Sequence, residues 1–78
     1  MKMYYLMPTA EQNQKSFYGK AVVAIDDDGT ETLFSYNTKI VSRKPNGELV
    51  KHWDSWTVTT GRHIKAFCGM NKKEYSAL

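Results

Sequence analysis

The chain has 78 residues, 41% of them hydrophobic and 13% aromatic, with two prolines and five glycines. This is material for one folded core, and it excludes both a second domain and a disordered tail. Eleven Lys and Arg against eight Asp and Glu leave a formal charge of +3, short of the strongly basic balance of a dedicated nucleic-acid binder.

Lys2 to Met7 is a short apolar and aromatic run suited to a strand. It is too short for a signal-peptide core or a bilayer span, which points to a soluble, cytoplasmic protein with no membrane partner. Residues 1–15 read as a peripheral segment in which Thr9, with Gln12 three positions on, fits the cap of a short helix. From Phe17 to Ile25, the residues Phe17, Ala21, Val23 and Ile25 share one parity, as a strand with one buried face requires, and Asp27-Asp28-Gly29 ends it in a turn. The next stretches, 30–38 and 39–44, are rich in β-branched and aromatic residues and read as one bent strand or two.

Pro45-Asn46-Gly47 is a second hairpin turn, in which Gly47 supplies a positive φ. A last strand starts at Glu48. Its apolar parity switches between Trp53 and Trp56, which predicts a bulge or bend near Asp54-Ser55. The period then becomes helical: Ile64, Phe67 and Cys68 lie at i, i+3 and i+4 over 61–68, with Thr60 as N-cap and Gly69 as the stop. Asn71 with Glu74 forms a capping-box pattern for a short final helix to Leu78, with Met70 placed to staple against Tyr75. The expected fold is a single α+β domain over 1–78. A small antiparallel meander of three to four curled strands, approaching a barrel, occupies 16–59, and a helical region, 60–78, packs on its apolar face.

Three segments carry a resemblance: 16–21 (Ser-Phe-Tyr-Gly-Lys-Ala), 35–38 (Ser-Tyr-Asn-Thr), and 53–67, which holds Trp53, Trp56, Thr59-Thr60 and His63-Ile64 followed by Phe67. Together they resemble a family of small, uncharacterised domains from bacteriophages, prophages and gut Firmicutes. The resemblance implies a phage or mobile-element source and a bacterial cytoplasm, with no assigned activity.

Four groups of residues are candidate sites. Thr59, Thr60, Gly61, Arg62 and His63 stand where a helix begins, and helix N-termini with added cations attract anions. The plainer reading, a threonine cap with solvated charges, is preferred. Arg43, Lys44 and Lys51 flank the second hairpin and, with Trp56, form a candidate nucleic-acid contact. Trp53, Trp56, Tyr36, Phe34, Tyr18 and Phe17 could offer stacking surfaces, but so small a core needs most of these rings inside. His52, Asp54 and His63 lack a fourth ligand and a fixed spacing, so no metal is expected. Asp26-Asp27-Asp28-Gly29 lacks the alternating acids and closing Glu of a calcium loop. Cys68, the only cysteine, excludes an intramolecular disulfide, fits a reducing interior and reads as buried and inert.

No phosphate loop, nucleophile elbow or paired carboxylates are present in the sequence. The expectation is a non-enzymatic interaction domain without cofactor, monomeric or a small homo-oligomer, whose partner is a host or phage protein. Nucleic acid, held weakly by the Arg43/Lys44/Lys51 hairpin and Arg62, is the alternative.

Overall fold

The computed structural model describes residues 2–8, 17 and 19–78. Five strands and two helices follow in order: β1 (Lys2–Tyr5), β2 (Ala21–Ile25), β3 (Glu31–Ser35), β4 (Thr38–Arg43), β5 (Leu49–Lys51), α1 (Val58–Cys68) and α2 (Lys72–Ser76). The strands form one antiparallel sheet in sequence order. The fold is therefore α+β, with five strands where three to four were expected. The sheet is open, with β1 and β5 at its edges, and does not close into a barrel.

Turn chemistry explains most of the strand boundaries. The β2–β3 and β4–β5 loops are built alike: Asp26 and Lys44 donate their N–H to Thr30 and Glu48, and Gly29 and Gly47 donate back to Asp26 and Lys44. Gly29 and Gly47 sit at φ +92° and +90°. Asp28 and Asn46 each accept the backbone N–H two residues on, at 2.9 Å, which is how short acidic and amide side chains hold a turn. That N–H holds the Asp28 carboxyl below its usual range.

The stretch read as one bent strand or two is two. Ser35 pairs with Thr38, and between them Tyr36 and Asn37 both have positive φ, 51° and 66°, the backbone of a two-residue hairpin turn that matches sheet twist. A register shift beside Leu33/Phe34 lets neighbours Ile40 and Val41 both enter the core. The strand expected from Phe17 starts at Ala21, because Lys20 closes a turn onto the Phe17 carbonyl and Gly19 has φ +74°. The strand expected from Glu48 covers only three residues. Its parity switch arises because the chain leaves the sheet: His52 and Trp53 both donate to the Ile40 carbonyl, and 52–57 is irregular. The expected cap at Thr9 lies outside the described residues.

Register assigns the faces. Tyr4, Val23, Leu33, Val41 and Lys51 stand in line across the sheet. Val23, Leu33, Ile40 and Val41 share one buried cluster with Ile64 and Phe67 of α1 and Tyr75 of α2. Burying a side chain such as Leu33 or Ile64 stabilises by roughly 1.5–3 kcal/mol. The opposite face carries Met3, Tyr5, Val22, Phe34 and Val50. Lys2–Tyr5, expected in a peripheral segment, is thus an integral edge strand.

Candidate functional site

Helix α1 starts three residues before the expected point. Its cap is Thr57, whose Oγ1 accepts the Thr60 N–H at 3.1 Å. Thr60 is therefore inside the helix, and Arg62 and His63 lie beyond the first turn, where the dipole field has faded. The five residues proposed to gather an anion divide instead. Thr59 and Arg62 are exposed, while Thr60, Gly61 and His63 are buried. His63 is 2% exposed. Its Nδ1 pairs with Ser35 Oγ at 2.8 Å, and Ser35 Oγ in turn meets Thr60 Oγ1 at 3.1 Å. The Phe17 ring stands edge-on to the imidazole at 4.5 Å. Burial lowers the His63 pKa, so the ring is held neutral between sheet and helix. Thr57, Thr59 and Thr60 are equal cap candidates by residue type; only the backbone path out of Trp56 selects the first.

Gly61 explains Trp56. A Cβ on Gly61 would lie 2.5 Å from Trp56 Cζ2, so the indole packs on bare helix backbone, with its other neighbour the Tyr75 ring at 5.8 Å. Both tryptophans are half-buried against the core. The Tyr75 hydroxyl donates to the carbonyls of Trp53 and Ile40, and burial pushes its pKa up to about 12.

Two of the three basic hairpin residues are engaged inside the fold, and Lys44 stays at the surface. Arg43 donates to Glu31 Oε1 through Nε at 3.1 Å and Nη2 at 2.9 Å, reaches the Phe67 carbonyl through Nη1 at 3.0 Å, and lies over the Phe67 ring. Lys44 pairs with Glu48 at 3.2 Å and Lys51 with Asp54 at 2.9 Å. Lys51 also stands over the Tyr75 ring. Arg43 and Lys51 thus turn toward the helices.

The histidines fall on opposite faces of the sheet. His52 Nε2 meets Ser42 Oγ at 2.8 Å, and Ser42 Oγ meets Thr32 Oγ1 at 2.7 Å, whereas His63 is under α1. Burial and, secondarily, Lys39 lower the His52 pKa. Among the described residues no group of three or more His, Cys, Asp or Glu could hold a metal ion. Cys68 is half-buried; its Sγ donates to the Ile64 carbonyl at 3.4 Å, and burial pushes the thiol pKa up, away from a reactive thiolate.

What the residue pattern missed is the outer face beside the Tyr36 turn. A cleft of about 450 Å³ opens there between Met3, Val22 and Phe34 of the sheet and Lys20 and Tyr36 at its end. Tyr36 is 55% exposed, with the Lys20 ammonium 5.9 Å from its ring centroid and the His63 ring 6.0 Å away. Tyr36 also holds a positive φ without being Gly or Asn. No sequence signal short of the two-residue turn itself marks this position.

Fold and surface define a small α+β domain with an open five-stranded antiparallel sheet, one face under helices and the other bearing an aromatic-rimmed cleft. The chain belongs to the family of unknown function DUF8033, whose model matches residues 5–77. No curated protein and no solved structure matches it. Among the described residues no helix is long and apolar enough to cross a membrane.

Proposed function

We propose that the chain is a non-enzymatic interaction domain, encoded by a phage or mobile element and acting in the cytoplasm of a bacterial host, that binds a host or phage protein at the outer-face cleft beside Tyr36. The observation that carries this reading is Tyr36 itself. A bulky residue in the left-handed region costs roughly 1–2 kcal/mol, and glycine would relieve that cost at once. A costly backbone state that places a large ring in solvent at a cleft mouth is an arrangement that favours contact over stability. Phe34 and Val22 supply an apolar floor and Lys20 a single cation, the make-up of a protein-binding surface rather than of a phosphate-tracking groove.

The absence of enzymatic activity in this proposal draws support from the two serine hydroxyls that meet a histidine. Ser35 is buried against His63 and Thr60, and Ser42 is shared between Thr32 and His52. Nucleic-acid binding is the weaker reading, because Arg43, Lys44 and Lys51 each face a carboxylate.

The test compares wild type with Tyr36→Gly on nuclease-treated bacterial lysate. Wild type is expected to retain a discrete protein that Tyr36→Gly loses, while the two melt within a few degrees of each other, since about 1–2 kcal/mol of relieved strain offsets the lost ring contacts. Equal retention by both, or retention abolished by nuclease, defeats the proposal.

A further inference from the structure

We propose that two copies of this chain pair through β1, antiparallel about a two-fold axis, with Met3 of each copy opposite Tyr5 of the other and Tyr4 opposite Tyr4. Among the described residues β1 is paired on one side only, and all four of its residues are exposed. Met3 is 64% and Tyr5 69% exposed, a large apolar load for an edge that would otherwise face water.

Backbone polarity sets the register. Leu6 donates its N–H to the Ala21 carbonyl at 2.9 Å. By strand alternation Leu6, Tyr4 and Lys2 turn their N–H and C=O toward β2, and Met3 and Tyr5 turn theirs outward. An antiparallel copy therefore finds its hydrogen-bonded pairs at Met3 and Tyr5. With Tyr4 on the axis, Met3 of each copy exchanges both bonds with Tyr5 of the other, four in all. The same pairing sets thioether against ring twice on the outer face.

Charge selects the direction and the second copy. In the antiparallel arrangement the two Lys2 side chains stand four residues apart, roughly 14 Å at ~3.4 Å per residue, beyond the Debye length at physiological salt. A parallel pairing in register would place them about 4.8 Å apart on neighbouring strands. The opposite edge offers a poor alternative. β5 has three residues, and its Lys51 is drawn onto Asp54 and the Ser76 carbonyl of α2. Pairing β1 with β5 would also leave free edges and propagate, whereas β1 with β1 closes. This inference does not rest on the Tyr36 turn: it uses the strand edge, and Met3 is the residue the seam shares with the cleft wall.

Sedimentation equilibrium over rising concentration is expected to show mass moving from 9.0 kDa to twice that value. Tyr5→Pro removes an outward N–H while sparing the β1–β2 ladder, and should weaken dimerisation about ten-fold or more. A second arm needs no proline. Met3→Lys/Tyr5→Lys and Met3→Glu/Tyr5→Glu proteins should each stay monomeric alone and dimerise when mixed, because this register sets every introduced Lys against a Glu. Tyr36→Gly should dimerise as wild type does. Monomer at all concentrations, undiminished dimer in Tyr5→Pro, or charge variants that fail to pair on mixing overturns the proposal.

Discussion

At Gly61 the usual helix-propensity rule changes sign. Alanine in an exposed helix interior gains about 1 kcal/mol over glycine, yet here its methyl would enter the Trp56 ring at 2.5 Å. Overpacking of that kind costs roughly 1–3 kcal/mol, so Gly61→Ala is expected to lower the urea midpoint, and Gly61→Ala combined with Trp56→Leu to recover part of the loss. Tyr36 is the converse case, a position where glycine suits the backbone and a tyrosine stands instead. Neither fact is legible from residue type. Gly61 sits in a run whose Ile64, Phe67 and Cys68 spacing reads as helix whether or not an indole covers it. By contrast Gly29 and Gly47 were legible, because Asp-Gly and Asn-Gly between strand-forming runs encode their own turn.

The elements themselves were read correctly where local chemistry was strong and misread where it was degenerate. The capping box of α2 is present as expected, with Asn71 and Glu74 each accepting the other's backbone N–H, because both halves lie within four residues. The start of α1 was misplaced because three threonines in four positions can all cap a helix. Thr57→Ala should therefore cost about 1 kcal/mol, as caps do. Thr59→Ala, exposed and outside the cap, should stay within about 0.5 kcal/mol; urea denaturation of both separates the assignments. The split of 30–44 into β3 and β4 hid for a related reason. Tyr36-Asn37 is a less common choice for its turn than Asn-Gly, and the strands around it have no break in β propensity. Arg43 shows how an element boundary changes a site: the turn places it opposite Glu31, so a residue read as a free cation holds β3, β4 and α1 together.

Across the whole molecule, the buried imidazole makes stability a function of pH. The unfolded chain takes up the His63 proton at its ordinary value of 6.5, while burial lowers the folded value. Below that pH the unfolded state binds more protons, so the contribution is complete above 6.5 and falls as the pH drops toward the folded value. Chemical denaturation at about pH 8 and about pH 5 is expected to show a lower midpoint in acid, and His63→Gln to reduce the difference, the part owed to His52 remaining. The sequence alone determined the α+β class, the two glycine hairpins, the Ile64–Phe67 stripe and the final capped helix, because each is written in neighbours a few residues apart. Tertiary structure alone decided that β1 joins the sheet, that the two histidines lie on opposite faces, that Arg43 and Lys51 turn inward, and that a cleft opens beside Tyr36. These depend on which distant segments meet, and that is set by register and by competition for a small core.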